Sequence, residues 1–430
     1  MSAPESRQVC PDCGDSFAEA DVRVRCECGG LLELRHAPPA SGVDGAALRT
    51  LFDARAGAGR GPFASGVWRF REMVLPTAAD VLTYPEGNTP LLQRPTVSAY
   101  VGAAELLLKH EGHNPTGSFK DRGMTVGVTQ ARRIHATAVA CASTGNTAAA
   151  LGAYAALAGL PALVFVPRGL VAIGKLAQIL AYGARTLLVR GDFDACLALA
   201  REAGERLGVY ILNSINPFRL EGQKTIVLEL LQQLDWDPPD WIVVPAGNLG
   251  NTAAFGKALG EARDCGLITR LPRLAAVQAA GAAPFALSFR DGFARRYTVQ
   301  PETVATAIQI GNPASYERAV RAIRDTNGVV TTVTDDEILE AKAVVDASGA
   351  GCEPASAASV SGTRRLVREG LIRASDRVVA VLTGHILKDP GVVTQYHQET
   401  EPPPKRANRP IEIEPRLAEV ERVLSAEPHA

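Results

Sequence analysis

The chain predicts an α/β protein built on parallel sheet with helices on both faces, entered through a small cysteine-rich module. Three observations carry that prediction. From about residue 84 onward, short Val/Leu/Ile runs alternate with amphipathic stretches, the pattern of strands buried on both faces. At about 150 residues per domain, 430 residues predict two or three domains. Four of the eight cysteines crowd near the front of the chain. A composition of 46% hydrophobic and 21% charged residues excludes wholesale disorder and a fibrous repeat. With 45 Lys and Arg against 46 Asp and Glu, the net charge of −1 supplies no field for nucleic acid or an anionic membrane. No nucleic-acid partner is expected.

The N-terminal residues, MSAPESRQVCPDCG, lack the charged start and apolar stretch of a secretory signal. Residues 1–36 read as a separate ribbon, with Cys10 and Cys13 in CPDCG and Cys26 and Cys28 in RCECGG. Two thiolate pairs on glycine turns can surround one tetrahedral zinc ion, stabilising a module with few apolar residues. The second pair is C-x-C, tighter than the usual C-x-x-C, and a redox or vestigial dithiol is the competing reading. Residues 37–66, rich in Ala, Gly and Pro, read as a linker with room for one helix.

The alternation then runs in order. ATAVACA leads through STGN into TAAALGAYAALA, ALVFVP into GKLAQILAYG, and RTLLVRG into DFDACLALAREAGERLG. VYILNS precedes LEGQKTIVLELLQQL, WIVVPA leads through GNLGN into TAAFGKALGEA, and RVVAVLTGH repeats the strand pattern late in the chain. Ala148 to Val166 is long enough to cross a bilayer, but Pro161 divides it into a buried helix and a buried strand. No membrane partner is expected. Residues 399–430 read as an exposed extension ending in a short charged helix. Cys141, Cys196, Cys265 and Cys352 are scattered among apolar and small residues, so they read as core residues rather than a disulfide scaffold. A reducing, cytoplasmic home follows.

In parallel sheets ligands gather at the carboxyl ends of strands, and STGN, NSINPFR, GNLGN and TGH all fall there. The most informative stretch is His113–Met124, HNPTGSFKDRGM. Pro115 and Gly117 make a turn, Ser118 can cap a helix, and Lys120 then lies near that helix's N-terminus. The helix dipole and partial burial both disfavour an ammonium there, pushing the amine towards the neutral form that condenses with an aldehyde cofactor. Gly247, Asn248, Leu249, Gly250 and Asn251 follow a strand and open a helix, a site for a phosphate. A second amide-rich loop, Ser143-Thr144-Gly145-Asn146-Thr147, suits a substrate carboxylate. Asp121 and Arg122 read as pairing one turn along their helix, and His113 and His385 as hydrogen-bonding residues.

HNPTGSFKDRG, ASTGNT, GKLAQ, NSINPFRLEGQ, PAGNLGN, ATAIQIGNPAS and VLTGHILKDP, in that order from about Tyr84 to Gly391, resemble the threonine synthase family. The resemblance implies two doubly wound α/β domains of the fold type II pyridoxal-phosphate enzymes (tryptophan synthase β-like). Residues 67–120 and 223–398 would form the large cofactor-binding domain and 121–222 the small one. It implies that Lys120 forms the Schiff base with pyridoxal 5′-phosphate, that Asn146 binds the ring oxygen, and that Gly247 to Asn251 hold the cofactor phosphate. Thr383 would face the ring nitrogen, and Ser143, Thr144 and Thr147 the substrate carboxylate. Ser214, Arg219 and Asn248 would bind the phosphate of O-phospho-L-homoserine, which water converts to L-threonine and phosphate in the last step of threonine biosynthesis. A planar cationic fork suits such a dianion better than an amine. A homodimer is also implied. The rival readings are a threonine or serine dehydratase of the same fold, which needs no arginine for a second phosphate, and a non-catalytic relative whose ribbon binds a partner.

Overall fold

A computed structural model describes residues 5–37, 44–168, 173–191 and 193–425, and gives no side-chain placement for residues 173–175, 193 and 194. The start of the GKLAQ run therefore lies outside the described side chains. Three sheets organise the described residues. The first is antiparallel, in the order β2-β1-β3, from β1 (Ser6–Val9), β2 (Ser16–Ala18) and β3 (Glu33–His36).

The second sheet draws strands from both sides of the third in sequence. It comprises β4 (Leu91–Gln93) and β5 (Glu105–His110), the third sheet then takes β6 (Ala138–Ala142), β7 (Ala162–Pro167), β8 (Arg185–Val189) and β9 (Val209–Ile211), and the chain returns with β10 (Trp241–Pro245), β11 (Arg273–Ala279), β12 (Val329–Val333) and β13 (Arg377–Leu382). Its order is β12-β11-β10-β13-β5-β4, parallel except for β4 at the edge. The four-stranded sheet, β8-β7-β6-β9, is wholly parallel. Strands such as WIVVP and AVACA are buried at every position, which is why they read as unbroken apolar runs. The β4, β5, β11 and β12 strands were not singled out from sequence. In RLAAVQA alanines dilute the β-branched signal, and VVTTV carries two half-buried threonines, one on each face.

Ala148–Val166 divides as its proline dictates, into the helix Asn146–Ala158 and β7. No helix among the described residues is long and apolar enough to cross a membrane. The stretch 37–66 departs from the linker expectation. Asp44 caps a helix over Gly45–Arg55 through its side chain, and Leu48 and Phe52 are fully buried in the main core. Phe52 stacks edge-on against Phe70 with ring centroids 5.1 Å apart. The alanines and glycines of this stretch hid two well-spaced core residues. Beyond Glu399 the chain is largely exposed and ends, within the described residues, in the helix Leu417–Ser425.

Candidate active site

The carboxyl ends of β5, β6, β9, β10 and β13 open onto one cavity of about 800 Å³ between the two parallel sheets. Lys120 is the first residue of the helix Lys120–Arg133, and Gly117 supplies the positive φ of +83° that the preceding turn needs. Ser118 Oγ accepts from Lys120 N at 3.4 Å. The Lys120 amine lies 4.1 Å from the Phe119 ring centroid. Burial and then the nearby Arg219 guanidinium bring this amine down to about 7, against a small opposing pull from Glu353. The neutral amine expected from sequence thus has two physical causes.

The Gly247–Asn251 loop follows β10 directly. A side chain at Gly247 would meet Ile308 Cα at 2.8 Å, so the loop can close only around glycine. Leu249 takes a left-handed φ of 63° and turns the backbone into the helix Gly250–Asp264. That helix is long enough for its N-terminal amides to favour an anion. Thr252 Oγ1, buried behind the loop, finds no hydrogen-bond partner among the described residues. These features fit the phosphate of a cofactor.

On the facing wall, Ser143, Thr144 and Thr147 line the cavity before and within the first turn of the helix Asn146–Ala158. Asn248 Nδ2 donates to Ser214 Oγ at 2.7 Å, joining the ends of β9 and β10 across the two sheets. Every catalytic, cofactor-binding and substrate-binding residue expected from sequence lines the cavity except Arg219. That residue is buried in the helix Pro217–Gln223, close enough to Lys120 to act on its amine. Its Nη1 donates to Leu212 O at 3.1 Å, while Nε and Nη2 find no partner among the described residues. Burial lowers it to about 10. Two unpartnered guanidinium donors in a dry interior are costly unless an anion reaches them.

Glu353 and Lys388 are among the lining residues that sequence reasoning missed. Glu353, which precedes the helix Pro354–Arg368, accepts from Asn146 Nδ2 at 2.9 Å and from Thr383 Oγ1 at 3.2 Å. Burial pushes its carboxyl upward, against those two hydrogen bonds. The signal was an acid before Pro in a run of alanines and serines, GCEPASAAS. Lys388 Nζ donates to Gln178 Oε1 at 2.5 Å, linking the segment after β13 to the helix Ile173–Ala181.

Asp121 and Arg122 do not pair along their helix. Asp121 accepts from the Thr116 amide at 2.7 Å and closes the turn before Lys120. Arg122 joins Glu111 at 2.7 Å and Glu229 at 2.8 Å in a fully buried ion cluster with Lys109. His385 lines the cavity and accepts from Leu387 N, whereas His113 is exposed. Away from the cavity, the sulfurs of Cys10, Cys13, Cys26 and Cys28 all lie within 4.8 Å of one another, the first and third buried. Cys141, Cys196 and Cys352 are buried and Cys265 is half-buried.

Comparison with known proteins agrees with this geometry. Residues 82–384 match the family model described as pyridoxal-phosphate dependent enzyme. The threonine synthase of Methanosarcina acetivorans is 45% identical over 91% of this chain and 94% of its own. That of Methanocaldococcus jannaschii is 41% identical over 97% and 99%. Among solved structures, Escherichia coli threonine synthase superposes with a TM-score of 0.69 over 97% of this chain and 99% of that one, at 19% identity. A likeness at that identity speaks to the fold alone. The sequence relatives speak to more, and the chain belongs to the threonine synthase family of pyridoxal-phosphate-dependent enzymes.

Proposed function

We propose that this chain converts O-phospho-L-homoserine and water to L-threonine and inorganic phosphate. The observation that carries the reading is one cavity holding a near-neutral lysine amine between two places for a phosphate. One is the Gly247–Asn251 loop at a helix N-terminus. The other is Ser214 and Asn248, joined by the buried Arg219, whose unpartnered nitrogens lie near enough to lower the Lys120 amine. A deaminating enzyme of the same fold has a use for the first and none for the second.

Bound in this cavity, pyridoxal phosphate supplies an aldehyde for amines and a ring that draws electrons from the substrate's α-carbon. The amides of Gly247 to Asn251 hold its phosphate, Asn146 its ring oxygen, and Thr383 its ring nitrogen. Thr383 is a neutral hydroxyl, so the ring is a weaker electron sink than one facing a carboxylate. Ser143, Thr144 and Thr147 hold the substrate carboxylate, and Ser214, Asn248 and Arg219 hold its phosphate. The Lys120 amine, close to neutrality, takes the proton from the α-carbon and serves the later proton transfers at Cβ and Cγ. Phosphate leaves Cγ with its bridging oxygen, and water adds at Cβ.

In this reading residues 67–120 and 223–398 form the large domain, with 121–222 as a smaller domain set into it. The four clustered cysteines hold one zinc ion. Their mutual distances suit a tetrahedron with Zn–S bonds of about 2.3 Å. The eight free cysteines favour a reducing, cytoplasmic setting, and a homodimer follows from the family resemblance. The test is to incubate the purified holoenzyme with O-phospho-L-homoserine and quantify products. Equal amounts of phosphate and threonine are expected. Ammonia from threonine, with no phosphate from phosphohomoserine, would overturn the reading.

A further inference from the structure

The three-stranded sheet is fastened to the helix that carries Arg219. Lys257 Nζ donates to Leu34 O of β3 at 2.8 Å, and Arg318 donates to Leu32 O just before it. At the end of β3, His36 Nε2 lies 3.1 Å from Glu221 Oε2, and Ser6 Oγ lies 2.8 Å from His36 Nδ1. The carboxylate can only accept, so Nε2 donates to it. Glu221 is fully buried and also holds Lys224 and Lys257. Burial alone would raise its carboxyl, but Lys224, Lys257 and His36 outweigh burial and hold it below the usual range.

Glu221 and Arg219 sit two residues apart on the helix Pro217–Gln223. At about 100° per residue they point to nearly opposite sides of it. A clamp on Glu221 therefore adds to the buried packing that fixes the rotation of the helix, and with it the direction of Arg219. The guanidinium itself is lightly held: Arg219 has a single main-chain partner, and two of its nitrogens have none among the described residues. At the other end of the linkage, Leu32 is fully buried in one small core with Cys10 and Cys26. The cysteine cluster and the root of β3 are one body. Leu34 of β3 reaches into the main core, while Cys10 and Cys26 pack in this small one.

We propose that the cysteine cluster is a positioning device for substrate recognition. A zinc ion on Cys10, Cys13, Cys26 and Cys28 holds β3, His36 on β3 holds Glu221, and Glu221 keeps Arg219 aimed at the substrate phosphate. This rests on the reading of Ser214 and Arg219 as the phosphate site. It gives the ribbon a role in affinity for phosphorylated substrate and none in the chemical step.

The test compares holoenzyme as purified, zinc-stripped holoenzyme, and the variants His36→Ala and His36→Gln. Metal content, cofactor absorbance, kcat, KM for O-phospho-L-homoserine and affinity for inorganic phosphate are measured on each. Stripping and His36→Ala should each raise KM and weaken phosphate binding roughly tenfold, the size expected for a lost charge-assisted hydrogen bond. Cofactor absorbance and kcat should hold, and His36→Gln, which keeps a donor, should recover most of the loss. The proposal is overturned if the purified protein contains no metal at these cysteines. It is equally overturned if phosphate affinity stays within about twofold of the parent in the stripped protein and His36→Ala, or if cofactor and kcat are lost while phosphate affinity is kept. Inorganic phosphate binding is read without turnover. A holoenzyme inactive on phosphohomoserine would defeat the proposed reaction and still leave this linkage measurable.

Discussion

Lys120 is useful because its surroundings remove the proton that free lysine keeps. Its ordinary value of 10.5 falls to about 7 through burial and the neighbouring Arg219. The sign is definite: a depressed amine is protonated below about 7 and neutral above it. Competitive reductive methylation of cofactor-free protein with formaldehyde should therefore show Lys120 labelling rise through pH 7 and level off by pH 8 to 9. Mass spectrometry of its peptide reads the result, and a rise that continues past pH 9, as for surface lysines, contradicts the assignment. Glu353 is the second residue whose surroundings matter. It joins Asn146 to Thr383, and its removal leaves both without that partner. Glu353→Ala should weaken cofactor binding by about 1–3 kcal/mol, read by titrating cofactor-free protein with pyridoxal phosphate. Unchanged affinity would mean that Asn146 and Thr383 hold their positions unaided.

Among elements, the helix Gly45–Arg55 best separates what the sequence displays from what it hides. Its Phe52 sits between Phe70, at 5.1 Å, and Trp236, at 6.2 Å between ring centroids. Phe52→Ala should cost about 3–5 kcal/mol, measured by denaturant unfolding of the holoenzyme. A loss below 1 kcal/mol would restore the linker reading. The parallel strands were legible because burial on both faces forces unbroken runs such as WIVVP and ALVFVP. The strand RLAAVQA was not, because alanine fills a crowded sheet without announcing a strand. The cavity loops were legible for another reason: glycine at 247 has no substitute beside Ile308, and amides and hydroxyls recur where anions bind. Arg219 was legible as a residue but not as a position, since its buried seat outside the cavity lining depends on how a seven-residue helix is turned. Partners distant in sequence stayed invisible. Arg122 meets Glu229, 107 residues away, rather than a neighbour on its own helix.

At the scale of the molecule, two parallel sheets turn five strand ends towards one space, so groups far apart in sequence meet without any one loop being long. The central claim is that this space breaks a carbon–oxygen bond at Cγ and builds one at Cβ, keeping the phosphate intact as it leaves. Turnover of O-phospho-L-homoserine in ¹⁸O-water tests it most directly, with threonine and phosphate analysed by mass spectrometry. The account predicts one ¹⁸O in the threonine hydroxyl and none in the released phosphate. Label in the phosphate, with homoserine as the co-product, would show a broken phosphorus–oxygen bond and contradict it.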